Sequence, residues 1–208
     1  MRLTGESKIF LGILAVTVAI IGGAVFFFSK PAAPPKPLAR EELVAPDSFS
    51  IGNASASAWL VEFSDFQCPA CHAFSPVVDE LVTKYSDKLL FVYRHFPLSK
   101  HEFAKPAAMA AEAAGLQGKF WEMAKLLFDN QDKLSGSLWA SLADELKLDR
   151  VRFDAALNSQ EIKAKIDRDE TAAIRLGLPG TPSFFFNGVK LTVVSPDDLK
   201  KTVEKAVQ

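Results

Sequence analysis

"EFSDFQCPACHAFSP", residues 62–76, holds both cysteines of the 208-residue chain, Cys68 and Cys71, with His72 directly behind them. This spacing admits three chemistries. C-P-A-C is the spacing of a redox dithiol, C-P-A-C-H matches a minimal c-type haem attachment pattern, and the two cysteines with His95 and His101 downstream outline a zinc site.

The sequence period changes at the cysteines. Upstream, AWLVEFSD (58–65) is rich in apolar residues and predicts a strand buried on at least one face. Alternation puts Leu60, Glu62 and Ser64 on one side of it and Trp59, Val61 and Phe63 on the other. Downstream, Phe74, Val77, Val78, Leu81, Val82 and Tyr85 follow helical spacing. An amphipathic helix is therefore expected to start close to Cys68. Pro69 suits its first turn, and Pro76 is expected to kink it. KLLFVYRHF (88–96) is a second strand, so strand, helix and strand predict a parallel pair with a crossover.

Placement at a helix start favours the dithiol. Free N–H groups and the helix dipole stabilise a thiolate at Cys68, and the thiolate is the attacking species in disulfide exchange. Cys71, one turn further in, is expected to be more buried and to attack a mixed disulfide from within. A bridge between the two closes almost no loop and contributes little as a staple, so the pair is chemical rather than structural. Glu62, inside an apolar strand, is costly without a role or a partner. It either exchanges a proton with Cys71 or faces solvent at a strand edge. Asp65, nearer the strand end, is expected to be solvated.

The other two chemistries fit their surroundings less well. Haem attachment requires His72 as an iron ligand, whereas the helix makes it a residue of the first turn. The zinc site would need a gap of 23 residues between Cys71 and His95, beyond the finger range of about 12–15. A domain this size folds without a metal. His95 is expected at a strand end.

Residues 9–28, IFLGILAVTVAIIGGAVFFF, form a 20-residue apolar run whose one weakly polar member is Thr17. As a helix it spans roughly 30 Å, the thickness of a bilayer core. Arg2 and Lys8 precede it, which predicts a cytoplasmic N-terminus (1–8) and an extracytoplasmic remainder. A cleaved signal peptide is the competitor, with Gly22-Gly23-Ala24 as the cleavage candidate. Three phenylalanines continue the apolar run past that point and favour a single-pass signal-anchor. Residues 29–47 contain five prolines and no aromatic residue, which predicts an extended linker. The folded domain is expected to begin near Ser48.

Residues 101–177 are expected to be helical throughout, with Gly115 as one helix stop and Ser159 as the N-cap of the last segment. TPSFFFNGVKLTVV (181–194) predicts two strands around an Asn187-Gly188 hairpin. Ser195-Pro196 opens a closing helix. Thr181-Pro182 sits where a cis bond fits a strand start. Net charge is −1 and the basic residues are scattered, so nothing points to nucleic acid.

EFSDFQCPAC, VYRHFPLSKH, GKFWEMAKLLF and LGLPGTPSFFFNG, in order over about residues 48–206, resemble membrane-anchored DsbA-like thiol-disulfide oxidoreductases of the thioredoxin superfamily. The resemblance implies an α/β thioredoxin fold, with a mixed sheet, β-α-β then β-β-α, and a helical insertion at about 101–177 in a domain spanning 48–208. It implies Cys68 as the exposed nucleophile, Cys71 as its buried partner and Glu62 as the acid beneath them. It further implies Pro182 as a cis-proline and Thr181 beside it on the surface that holds an extended substrate, with Pro69 and Ala70 completing that surface. The redox group is then the Cys68–Cys71 disulfide, with no further cofactor and no metal. Expected partners are reduced exported proteins and a quinone-linked, DsbB-like or VKOR-like reoxidase in the membrane, acting on a monomer in the periplasm. Pro69-Ala70 is neither the Gly-Pro of thioredoxin nor the Pro-His of the strongest oxidants, so reductase and isomerase activity stay open beside dithiol oxidase. A redox-inert peptide-binding module is a further alternative, though it gives no reason for paired cysteines at a helix end.

Overall fold

Period-2 alternation in residues 58–64 divides the core of the domain in two. A computed structural model describes residues 5–29 and 36–207. Arg2 and the side chain of Lys8, which bear on orientation, lie outside the described part. Strand β2 (Ala58–Ser64) is buried on both faces. Leu60 packs with the larger apolar cluster, while Trp59, Val61 and Phe63 belong to a second cluster on the opposite side.

The chain forms two compact units, Met1–Lys36 and Pro37–Gln208. The first is helix α1 (Gly5–Phe28). Its residues Ile9–Phe28 are long and apolar enough to cross a membrane. The Thr17 hydroxyl donates to the Ile13 carbonyl at 2.8 Å, so the one polar side chain of that run is satisfied within the helix.

The second unit begins earlier than the composition suggests. Proline content predicts a linker to Asp47, but helix α2 (Arg40–Leu43) and its flanks are part of the domain. Leu43 is fully buried, Leu38 N donates to Gly188 O at 2.9 Å, and Arg40 reaches the Ala54 carbonyl. A Cβ on Gly188 would stand 2.2 Å from the Leu38 carbonyl, so only glycine admits this approach.

Five strands follow the order β1-β3-β2-β4-β5. Strand β1 (Ser50–Gly52), which the sequence pattern does not reveal, pairs antiparallel with β3 (Leu89–His95). β2 and β3 pair parallel, with Glu62 opposite Tyr93. β4 (Ser183–Phe186) runs antiparallel to β2 and turns through Asn187-Gly188 into β5 (Val189–Lys190). Both turn residues have positive φ, as a two-residue hairpin requires.

Helix α3 (Pro69–Lys84) links β2 to β3 and continues through Pro76. The insertion contributes α4 (Ala104–Gly115), α5 (Phe120–Asp129), a 3-10 turn (Gln131–Lys133), α6 (Gly136–Glu145), α7 (Arg150–Leu157) and α8 (Gln160–Arg175). Gly115 is the last helical residue of α4, and the left-handed residue is Gly118. Gly115 instead makes room for an aromatic ring, since a Cβ there would stand 2.2 Å from Phe49. The apolar segment 137–149 splits, because Lys147 turns left-handed and the Asp149 side chain caps a new helix at Arg152 N. Ser159 caps α8 as expected, accepting from Glu161 N and Ile162 N. Helix α9 (Pro196–Val207) starts at the Ser195 hydroxyl, which accepts from Asp198 N at 3.2 Å.

Candidate active site

Cys68 is the N-cap of α3 and Cys71 lies one turn in. Cys71 is fully buried and Cys68 is 7% exposed, so the outer sulfur is more sheltered than the resemblance implies. Its cover comes from the loop before β4. The Thr181–Pro182 bond is cis, and the Cys68 thiol donates to the Thr181 carbonyl at 3.4 Å. Thr181 and Pro182 are half-buried beside the sulfur, and Pro69 and Ala70 are exposed. The substrate-side residues expected together thus share one end of the sheet. The Thr181 hydroxyl is buried without a hydrogen-bond partner among the described residues.

The geometry separates the two sulfurs electrically. Ionised Cys68 is stabilised first by the Cys71 thiol, and also by the nearby Thr181 side chain and the backbone N–H groups of Cys71 and Ala70. Together these outweigh burial and hold Cys68 down at about 5, against an ordinary value of 9.0. Burial pushes the Cys71 thiol far up, and its bond to Cys68 and the charge of Glu62 add to this. Cys68 is therefore the thiolate at neutral pH, and Cys71 keeps its proton until something removes it.

Glu62 is the group placed to remove it. It is 4% exposed on the face of β2 that carries the dithiol helix, not at a solvent edge. Among the described residues, its one hydrogen bond from a side chain comes from the Ser64 hydroxyl, at 2.7 Å to Oε1. Burial pushes its carboxyl up to about 7, the Ser64 bond pulls the other way, and the charges of Cys68 and Asp79 add to the rise. A carboxyl at that value both takes and returns protons near neutrality.

Asp65 departs from expectation. It is buried, not solvated, because three donors converge on it. Gln67 N donates to Oδ1 at 2.7 Å, Leu98 N to Oδ2 at 2.9 Å, and His101 Nδ1 lies 2.7 Å from Oδ2. Asp65 thus bolts the loop before Cys68 to the loop after β3. Gln131, in the insertion, completes the clamp. Its amide donates to the Phe66 and Cys68 carbonyls at 2.8 and 3.1 Å. Nothing local in the sequence marks Gln131, since its partners lie more than sixty positions away.

The histidines of the zinc alternative are otherwise engaged. His95, at the end of β3 as expected, lies 2.8 Å from Glu112, and His101 is held by Asp65. Among the described residues, no group of three or more His, Cys, Asp or Glu side chains is arranged to hold a metal. His72 is exposed and stacks on Phe128, ring centroids 6.1 Å apart.

A mixed sheet with a dithiol at the first crossover helix and a cis-proline loop facing it defines the thioredoxin fold. The family model described as thioredoxin matches residues 45–205, and the chain belongs to that family. Among solved structures, a thioredoxin-like oxidoreductase from Silicibacter pomeroyi superposes with a TM-score of 0.69 at 29% identity, covering 81% of this chain and 98% of that one. The thiol-disulfide exchange protein alpha-DsbA2 from Wolbachia pipientis gives a TM-score of 0.71 at 18% identity, over 80% of this chain and 90% of that one, a likeness of fold alone. A curated relative, the Na(+)/H(+) antiporter NhaA 1 of Mycolicibacterium vanbaalenii, is 38% identical over 188 residues, 86% of this chain. The chain spans about 30% of the length of that relative.

Proposed function

We propose that the chain is a thiol-disulfide oxidoreductase working as a dithiol oxidase, anchored by α1 with its catalytic domain on the extracytoplasmic side. The observation that carries this reading is the Cys68 thiol held near 5 above a Cys71 thiol that stays protonated. A stabilised thiolate stabilises the reduced dithiol, so the disulfide gives itself up readily. At pH 7 a thiol at about 5 instead of 9 favours the reduced form by on the order of 50 mV. The likeness to the thioredoxin-like oxidoreductase from Silicibacter pomeroyi, 29% identical, supports the redox chemistry.

In the proposed cycle, a substrate thiolate attacks Cys68 of the Cys68–Cys71 disulfide. The S–S bond breaks, and the electron pair leaves on Cys71, which takes the proton of Glu62. A second substrate thiolate then attacks the substrate sulfur of the mixed disulfide, and Cys68 departs as its stabilised thiolate. The substrate leaves oxidised by two electrons, and the enzyme is left as a dithiol. A quinone-linked membrane protein is the proposed acceptor that reoxidises it. The Cys68–Cys71 disulfide is itself the redox group, and no other cofactor enters the cycle. The surface of Thr181, Pro182, Pro69 and Ala70 is proposed to hold the extended chain of a reduced exported protein.

The test is oxidation of a reduced, unfolded test protein by the preoxidised chain. Cys68→Ser is expected to abolish it, and Cys71→Ser, presented with a substrate that carries a disulfide, to accumulate the mixed disulfide formed by Cys68 as one substrate thiol is released. Full activity in Cys68→Ser contradicts the proposal.

A further inference from the structure

A cavity of about 450 Å³ lies between α3 and α5. Val78 and Val82 of α3 and Trp121 and Phe128 of α5 make its walls largely apolar. Two polar groups line it from the sheet, Glu62 of β2 and Tyr93 of β3. The Tyr93 hydroxyl is buried and has no hydrogen-bond partner among the described residues. Ser64, its polar neighbour on β2, gives its hydroxyl to Glu62. On the outer side the lining carries exposed Asp79 and His72 of α3 and exposed Glu122, Lys125 and Asp129 of α5. Lys125 is tied to Asp129 at 2.9 Å.

The proposed cycle makes a demand on this region. Opening the disulfide moves a proton from Glu62 to Cys71 and reoxidation moves one back, and with its carboxyl at about 7 Glu62 also trades protons with solvent to enter either step in the right state. Its carboxyl is 4% exposed, and the route past the sulfurs is covered by Thr181 even before a substrate docks.

We propose that the cavity between α3 and α5 is the water path by which Glu62 exchanges protons with solvent, with the Tyr93 hydroxyl relaying at its inner end and Asp79 collecting protons at its mouth. This rests on Glu62 as the proton partner of Cys71. The volume holds on the order of ten waters, and a stable water needs two to four polar partners. The inner end offers the Glu62 carboxyl and the Tyr93 hydroxyl. The mouth offers three carboxylates, of which Asp129 is paired with Lys125 and Glu122 with Lys119, leaving Asp79. Partial burial raises the Asp79 carboxyl, with Lys125 opposing, which suits a group that holds a proton briefly. Apolar walls between the two ends leave water as the carrier.

The test is infrared spectroscopy of the full chain in detergent at pH 5, where the Glu62 carboxyl is protonated. Its C=O band is identified by its loss in Glu62→Gln, and exchange is followed after rapid mixing into D2O. The intact chain is expected to exchange within the mixing time. Ala124→Phe, which fills the cavity from α5, is expected to slow exchange at least tenfold. Thr83→Trp, at an exposed position of the lining, does the same without disturbing the core. Tyr93→Phe is expected to slow it several-fold. Asp79→Asn is expected to slow it several-fold as well, with recovery in Asp79→Glu. Exchange as fast as in the intact chain for both Ala124→Phe and Thr83→Trp overturns the path. If exchange slows as expected but Glu62→Gln leaves the thiol chemistry unchanged, the path stands and the proton-partner role of Glu62 falls.

Discussion

The two faces of the central sheet each bury a carboxylate and treat it in opposite ways. On the face covered by α8, Asp169 accepts from Arg94 Nε at 2.7 Å and from His95 N at 3.1 Å, and Arg94 also donates to the Leu43 carbonyl at 2.6 Å. Each charge of that pair has its counter-charge and a backbone group besides. On the face covered by α3, Glu62 has a single hydroxyl and a cavity beside it. A paired buried carboxylate holds the fold together, whereas an under-partnered one keeps a mobile proton. Two more buried acids follow the first pattern: Glu112, between His95 and Lys165, and Asp65, with its three donors. Among these four acids, the one left without a cation or backbone donor is the one next to the dithiol.

The most severe way to break this contrast is to strand the cation. Asp169→Ala leaves Arg94 buried and uncompensated and is expected to cost about 3–5 kcal/mol in chemical denaturation. The pH dependence of thiol exchange in the molecules still folded should be unchanged. A loss under about 1 kcal/mol would mean that the two faces are not energetically distinct.

Glu62→Gln should act in the opposite sense on stability and strongly on chemistry. The carboxyl moves from 4.5 to about 7 on folding. Below 4.5 it is protonated in both states and costs nothing on this account. Between 4.5 and 7 the unfolded chain ionises first, so the penalty on folding grows; above 7 it is complete. The variant is therefore expected to be more stable by about 2 kcal/mol at pH 8, after allowing for an unpaired amide, and to gain nothing at pH 4. Stopped-flow measurement should show release of mixed disulfides through Cys71 slowed by about 100-fold. Equal stability gains at both pH values would locate the effect in packing rather than in charge.

Gln131→Ala sharpens the comparison from outside the sheet. Removing the amide that holds the Phe66 and Cys68 carbonyls is expected to cost about 1 kcal/mol in thermal unfolding. Glu62 should keep its titration, because no bond of Gln131 touches it.

The parts of the site legible in the sequence are those governed by near neighbours. A strand followed by Cys-Pro at a helix start, a threonine-proline ahead of a strand, an Asn-Gly turn and serine caps each follow rules that span a few residues. Alternation groups Glu62 with Leu60 and Ser64 on one face of β2, but only the resemblance placed that face under the dithiol, because both faces of the strand are buried. Burial of Asp65 was not legible, because its partners Leu98 and His101 arrive from the far side of β3. The docking of Leu38 and Leu43 was hidden by the prolines around them, which describe the local backbone and not what the neighbouring leucines find to pack against. The short edge strand β1 carries no alternation long enough to register. The Arg94–Asp169 and Glu112–Lys165 pairs join positions 75 and 53 residues apart, and nothing in either segment names the other.

The measurement that bears most directly on the central claim is the reduction potential of the Cys68–Cys71 pair, by equilibration with glutathione buffers at pH 7. The range for such pairs runs from about −270 to about −120 mV. A stabilised Cys68 thiolate predicts a value toward the upper end, about −120 mV. A value near the lower end, about −270 mV, would contradict the account, since the dithiol would then give electrons to its clients rather than take them.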